Sequence, residues 1–590
     1  MKPRLVYDGD CAFCRYMVAY AASVTGDAVE YRPYQEVRAE YADIGEKEFA
    51  ETIWLFSGTK RYRGADAAFR TLAEGGAGLW QALYRRLPGF ALLAEAAYRW
   101  TARRRSFCLA VCRILFGGRL VRAEFAVTAD VLVRGIALCG LAAFVSLWWQ
   151  IDGLGGPGGV LPAEGYLEAV RDARGAERYW LLPTVFWVDA SGLALHVVCA
   201  VGTAATLVAL AGRWRCVAAL VAYTCYLSLL GVGQVFLSYQ WDILLIECFV
   251  VAAVLARAPA AGVWLTRLVL FRFMFLSGFV KLASADPTWA DGTALGYHFE
   301  TQPLPTALAW YAHHAPAVLL EWGVKATLFI ELVLPFCVVL PRNPRLVAAA
   351  AFVLLELLIF ATGNYNFFNV LTVVLCVALL DDRLLPAWFR GVRPVGGRTA
   401  AKVAAGCVMV LGIAVTVESV ARQPWFGSGL TQIVRPLRLA NPYGLFAVMT
   451  TERDELVVEG SLDGETWTAY GFPFKPGDPS VAPRWAAPHQ PRLDWQMWFA
   501  ALTTPERAPW TYDLAFALLE ARPAVLGLLA DPFDGARPTY LRILRYPYRF
   551  TTPEEKSRSG DWWARGPATV WMPPIRLRRP VVTHEPLTLD

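Results

Sequence analysis

The sequence predicts a multi-domain membrane protein. It has an N-terminal α/β domain over 1–120, a polytopic α-helical bundle of about nine spans over 121–422 and a C-terminal β-rich domain over 423–590. Three observations carry this division. Hydrophobic residues make up 56% of the 590 and charged ones 18%, against roughly 45–50% and about 25% in soluble globular chains. Apolar windows near twenty residues long recur between positions 131 and 420 and nowhere else. On either side the pattern changes to short alternating strands, turn dipeptides and scattered charge. This composition, with a mean hydropathy of +0.37, excludes a disordered chain, a coiled coil and an ordinary soluble enzyme. The net charge of +6 is small for this length, and no basic stripe interleaves with aromatics, so no nucleic-acid partner is expected.

The N-terminal stretch reads strand–turn–helix: Leu5-Val-Tyr7, then Asp8-Gly-Asp-Cys11-Ala-Phe-Cys14, then a helical Arg15-Tyr-Met-Val-Ala-Tyr-Ala-Ala. Val29-Glu-Tyr31 and Thr52-Ile-Trp-Leu-Phe56 are further strands, with helical stretches between and after them. Cys-x-x-Cys at a helix start has a chemical rationale. The unpaired amides and helix dipole favour a thiolate at Cys11, and Cys14, one turn on, resolves a mixed disulfide. In a βαβ-like setting the motif reads as thioredoxin-like, with a relic pair or a zinc half-site as the alternatives. Cys108 and Cys112, four apart on a helix, are expected to be buried packing residues. The first ten residues hold no apolar stretch of signal-peptide length, so the N-terminus is expected in the cytoplasm.

Tyr7-Asp-Gly-Asp-Cys-Ala-Phe-Cys14 resembles the signature of the DCC thiol-disulfide oxidoreductase-like family, as do Ile53-Trp-Leu-Phe56 and Gly64-Ala-Asp-Ala-Ala68, over residues 3–115. The resemblance implies a redox site made of Cys11, Cys14 and Asp8, thiol-disulfide oxidoreductase activity, and a cytoplasmic thiol partner. A reductant or sensor suits the reducing cytosol better than an oxidase. One departure is that no proline closely precedes Glu51-Thr-Ile-Trp-Leu-Phe56, where thioredoxins place a cis-proline.

Nine apolar windows follow: 131–150, 193–211, 216–236, 242–257, 267–284, 317–340, 346–362, 366–380 and 402–420, the fourth and eighth short enough to be kinked or half-buried. Their alternate connections differ in charge. Arginines 213, 215, 257, 267, 342, 345, 383, 390, 393 and 398 and Lys402 fall on one set, whereas 237–241, 285–316 and 363–365 contain no Lys or Arg and only the longer loop 151–192, with Arg171, Arg174 and Arg178, breaks the pattern. The positive-inside rule then places the N-terminus in the cytoplasm and, with an odd number of spans, the C-terminal domain outside. Ionisable residues at membrane depth mark either a functional cavity or structural ion pairs. The group comprises Arg134, His196, Asp242, Glu247, Arg272, Lys281, Glu321, Lys325, Glu331 and Glu356. Lys281 ends a long span beside Gly278, where another helix can approach; it would act as a base or anion clamp, or snorkel to the headgroups. His298 and Glu300, in the following loop, complete the candidate membrane site with Asp242 and Glu247.

Gln240-Trp-Asp-Ile-Leu-Leu-Ile-Glu247, Lys281 through Pro305, Gly363-Asn-Tyr-Asn-Phe-Phe-Asn369, Asn441-Pro-Tyr-Gly-Leu-Phe-Ala-Val-Met449 and Arg545-Tyr-Pro-Tyr-Arg549 together resemble the lipase maturation factor family over residues 125–575. The resemblance implies a multi-span membrane factor that assists the folding, assembly or maturation of exported proteins such as lipases. The fused N-terminal module is similar to that of bacterial members, and so implies a bacterial inner membrane. Gly278-Phe-Val-Lys281-Leu is also similar to a stretch of the vitamin K-dependent carboxylases, which would make Lys281 a catalytic base.

Beyond Gln423 the chain is aromatic-rich and proline-punctuated. Glu455-Leu-Val-Val-Glu459 and Thr466-Trp-Thr-Ala-Tyr470 flank an Asp463-Gly464 hairpin turn, Thr539 to Tyr546 alternates as a strand, and 511–530 reads as helix. A sandwich is the expected architecture. Trp485, Trp495, Trp498, Trp562 and Trp563 are either a packed core or a client-binding surface, so residues 421–590 are where an exported client would dock. No metal-ligand cluster, P-loop or Ser-His-Asp set is visible, and no cofactor or metal is expected. The remaining partner is the lipid bilayer.

Overall fold

The computed structural model describes residues 2–386, 398–422 and 434–577. Arg390, Arg393 and the expected boundary at Gln423 lie outside the described residues. The chain divides into two compact units. One comprises 1–124 with 339–347 and 381–383; the other comprises 125–338, 348–380 and 384–590.

The first unit is built on a four-stranded sheet of β1 (Arg4–Tyr7), β2 (Glu30–Pro33), β3 (Trp54–Ser57) and β4 (Lys60–Arg63), in the order β2-β1-β3-β4. β1 runs parallel to β2 and antiparallel to β3, and β3 pairs antiparallel with β4. Strand alternation sends Leu5 to one face, against Val29, Leu55 and Ala67, and Val6 to the other, against Tyr34 and Phe49. The fourth strand has no apolar alternation; its Lys-Arg-Tyr-Arg sequence is that of a charged edge. Cys108 and Cys112 are half-exposed rather than buried, because the helix Arg105–Phe116 has no fully buried residue.

Among the described residues seven helices are long and apolar enough to cross a membrane: Ala126–Gly155, Gly192–Leu210, Arg215–Val232, Pro259–Ala283, Ala317–Val339, Arg342–Thr362 and Thr399–Ala421. The two windows noted as short form shorter helices, Gln240–Leu255 and Phe367–Cys376. Gln240–Leu255 is apolar all round and buried on nearly every side, as befits a helix at the centre of a bundle.

The C-terminal strands form one sheet rather than a sandwich. It contains β5 (Arg453–Ser461), β6 (Thr468–Ala469), β7 (Tyr540–Phe550), β8 (Trp563–Arg565) and β9 (Thr569–Ile575). The Asp-Gly turn joins β5 to β6: Gly464 has φ +86°, and Asp463 Oδ1 accepts from the Glu465 and Thr466 amides at 2.8 and 2.7 Å. No second sheet is needed, because the helices Arg492–Ala501 and Trp510–Leu519 fill the core. One apolar cluster runs from Leu132 in the first span to Met572 in β9. Trp495 and Trp563 are buried within the unit, Trp498 and Trp562 are half-buried, and Trp485 is 47% exposed.

Candidate functional site

In the first unit, β1 delivers the chain into a turn that ends at Cys11, and Cys14 follows in the first turn of the helix Ala12–Thr25. Gly9 passes so close to Pro33 that a Cβ there would lie 2.8 Å from the proline Cβ. Cys11 caps the helix Ala12–Thr25, its Sγ accepting from the Cys14 amide at 3.3 Å. Asp8 Oδ1 accepts from the Asp10 amide and Gln35 Nε2, both at 3.1 Å, and its Oδ2 faces Arg105 Nη1 at 3.4 Å. Arg105 is itself held by the carbonyls of Ala50 and Glu51, at 2.7 and 2.9 Å. Burial alone would raise the Cys11 thiol. The Cys14 thiol and amide, and then Arg105, outweigh it and hold Cys11 below its ordinary value. Burial, with the thiol donated to Cys11, pushes Cys14 up to about 12. The two thiols are thus unlike, Cys11 the more readily ionised and Cys14 held protonated. Arg105 was not singled out in the sequence because nothing local marks an arginine ninety residues away.

The candidate residues of the second unit fall into separate places. Asp242 is fully buried and accepts from Arg492 Nη1 and Nη2 at 2.9 and 2.7 Å and from Tyr226 Oη at 2.5 Å. Glu247 pairs with Arg272 and accepts from Tyr443 Oη at 2.7 Å and Asn441 Nδ2 at 3.1 Å. Gln240 donates to the Gly444 carbonyl at 2.6 Å and accepts its amide at 3.1 Å. The Gln240–Glu247 motif therefore bonds directly to the Asn441–Met449 motif, so these segments hold helices and C-terminal region together.

Lys281 lies elsewhere. Its ammonium donates to both Glu331 oxygens at 2.9 and 2.7 Å and to the Ser277 carbonyl at 3.3 Å, and sits 5.2 Å from the Trp289 ring centre. Gly278 permits this: a Cβ there would stand 2.8 Å from Glu331 Cβ. His298 is buried edge-on to Phe446, its ring centroid 5.0 Å away. Burial first, then the Lys281 charge, lowers its pKa to about 4, so it is neutral at pH 7. Glu300 faces the other way and docks β7: its Oε2 accepts the Phe550 amide at 2.7 Å, and its carbonyl accepts from Arg453 Nη1 at 2.7 Å. Arg453 and Lys475 both pair with buried Glu455. These partners, like Arg492, went unnoticed in the sequence because a soluble-looking segment gives no sign that its cations are buried. Among the described residues no cluster of three or more His, Cys, Asp or Glu is arranged to hold a metal ion.

A polytopic helical membrane unit locked to a sheet-bearing C-terminal region, with a separate dithiol module, defines the class of protein. Residues 127–387 match the family model for the lipase maturation factor transmembrane domain, 439–573 that for the lipase maturation factor C-terminal domain, and 5–109 that for DCC1-like thiol-disulfide oxidoreductases. The chain is 34% identical to lipase maturation factor 2 of Rattus norvegicus over 77% of its own length and 84% of the relative's. For Homo sapiens lipase maturation factor 2 the identity is 34% over 79% and 84%, and for Bos taurus lipase maturation factor 1 it is 32% over 78% and 90%. The chain belongs to the lipase maturation factor family. No solved structure matches it.

Proposed function

We propose that this protein assists the maturation of exported proteins such as lipases. In this reading the C-terminal region faces outward and meets the client, while Cys11 and Cys14 act on a cytoplasmic thiol partner. The observation that carries it is the direct bonding between the helices and the C-terminal region at Asp242–Arg492 and Glu247–Tyr443, which makes a rigid platform out of family-matched segments. The organisation is then threefold: 1–120, 121–422 and 423–590.

Its sidedness and span count have a common support. Within the second unit the connections after the first, third, fifth and seventh apolar segments all bond to the C-terminal region. The bonds are Arg522 to the Gly159 carbonyl at 3.1 Å, Arg492 to Phe236 at 2.6 Å, Arg453 to Glu300 at 2.7 Å and, from Asn364, to Arg484 at 2.8 Å. Within the first unit, Asn343 and Arg383 of the sixth and eighth connections bond to Ile114 and Arg122, at 2.8 and 2.6 Å. That alternation supports crossings by Gln240–Leu255 and Phe367–Cys376 as well, about nine in all. The charge bias supports a cytoplasmic N-terminal side, and the fused dithiol module is the support for a bacterial inner membrane.

A thioredoxin-like reading of the first unit is supported by the β2-β1-β3-β4 order and by Cys11 at the helix start after β1. The carboxylase-like alternative would use Lys281 as base. There Glu331 would first have to take the lysine's proton, and the three acceptors around the ammonium favour a structural pair. The test is deletion of the gene. Active exported lipase should fall while its synthesis continues, and the Cys11→Ser, Cys14→Ser variant should separate the redox contribution. Unchanged lipase activity in the deletion would refute the proposal.

A further inference from the structure

The outer surface of the first unit is unusual for a domain in water. Its helices Phe90–Arg103 and Arg105–Phe116 turn polar atoms inward: Tyr98 Oη accepts the Ile53 amide at 3.0 Å and Glu95 accepts from Tyr84 at 3.0 Å on the first, and Arg105 donates to the Ala50 carbonyl at 2.7 Å on the second. Their outward faces carry Leu92, Leu93 and Trp100 on the first helix and Phe107, Val111 and Ile114 on the second. Leu92, Leu93 and Ile114 are 78%, 71% and 70% exposed. These positions follow helical spacing, so each helix presents one apolar stripe. Trp100 and Phe107 meet edge to face across the turn at 6.3 Å, which joins the stripes into one ridge.

Arginines border that ridge. Residues 85–122 hold nine arginines, no lysine and a single acid, Glu95, which is turned inward. Arg104 lies over the Trp100 ring at 5.1 Å. At the turn, Trp100, Arg103, Arg104, Arg105, Ser106 and Phe107 line an open hollow of about 480 Å³, with guanidinium groups between two apolar walls. The far end of the second helix is tied to a membrane boundary. Asn343, at the start of the span Arg342–Thr362, donates to the Ile114 carbonyl at 2.8 Å. The first span begins at Ala126, ten residues after Phe116.

We propose that these two helices form an interfacial lipid-binding element, seated on a bilayer leaflet that presents anionic headgroups. The apolar ridge enters the boundary between headgroups and acyl chains, Trp100 sits at the depth where tryptophan is favoured, and the bordering arginines hold lipid phosphates. A protein partner is a poorer fit, since a ridge edged on both helices by arginine matches a planar array of phosphates without any specific counter-surface.

The test uses the full chain in nanodiscs of phosphatidylcholine, with and without phosphatidylglycerol. Leu93 or Ile114 is replaced in turn by photo-activatable benzoylphenylalanine, and exposed Lys47 serves as control. Irradiation should yield phospholipid adducts at 93 and 114 and none at 47, enriched for phosphatidylglycerol. Arg103→Gln and Arg104→Gln should each lower that enrichment by about fivefold. Adducts with a second copy of the chain or with another polypeptide, an absence of lipid adducts, or an enrichment indifferent to both arginines would overturn the proposal. None of these outcomes depends on a client lipase.

Discussion

Two arginine–carboxylate contacts in this molecule do opposite things. Arg105 and Asp8 stand 3.4 Å apart near the surface of the first unit, a separation that leaves the guanidinium charge able to act on Cys11. Arg492 and Asp242 are buried without exposure, bonded twice, and closed off by Tyr226. The first is a loose contact beside a thiol of lowered pKa; the second is a tight lock whose charges are satisfied by each other, by Tyr226 and by the Phe236 carbonyl. Burial and completeness of bonding, rather than residue type, separate a reactive centre from a structural one.

That contrast can be broken at the lock first. Arg492→Met should destabilise the purified protein by about 3–5 kcal/mol, because the Asp242 charge is left buried and unpaired. Adding Asp242→Leu should restore much of the loss, read as thermal denaturation in detergent. A single variant that melts like the parent would show that the pair locks nothing.

The next effect is a pH dependence at His298, buried beside Phe446. Its folded pKa is depressed from 6.5 to about 4, so the unfolded chain binds the proton more readily. The stability it contributes is present above pH 6.5 and is lost as pH falls toward 4, to a ceiling of about 3 kcal/mol. Asp494, raised to about 6 by burial against the bonds it accepts from the Phe474 and Lys475 amides, contributes with the opposite sign in an overlapping window. The quantity to measure is therefore the difference between the parent and His298→Phe: it should slope between pH 6.5 and 4, and a flat difference would contradict it. Gly278→Ala is smaller. Its added Cβ would stand 2.8 Å from Glu331 Cβ and 2.9 Å from Leu332 Cγ, an overpacking cost of about 1–3 kcal/mol.

The sequence made these two regions legible to different degrees. Seven long spans, the helix-capping Cys11 and the Asp463-Gly464 hairpin could all be read because each is a local signal: an apolar length, a motif, a turn dipeptide. The buried ions could be named, but not their use. Asp242, Glu247 and Glu300 looked like members of one membrane site with Lys281 and His298. Their partners are instead Arg492, Tyr443 and the Phe550 amide, about 200 to 250 residues further along. Pairing at that separation leaves no periodicity behind. Charged β4 and the single C-terminal sheet escaped for a related reason, since edge strands and helix-filled cores lack the alternation that marks a strand buried on one face.

At the reactive end of the comparison the effect is smallest in energy but most specific. Alkylation of Cys11 across pH should show a midpoint below that of an ordinary thiol, and loss of either neighbour should raise it. The hydrogen bond from the Cys14 thiol is the largest single influence lowering Cys11, and Arg105 acts through both a hydrogen bond and its charge, so Cys14→Ala and Arg105→Gln should each raise the midpoint. Both should leave the melting temperature nearly unchanged, since neither group takes part in the buried pairs of the second unit. If Arg105→Gln matched or exceeded Cys14→Ala, the guanidinium would be the principal support of the thiolate. A midpoint unmoved by either variant would contradict this account of the Cys11 thiolate.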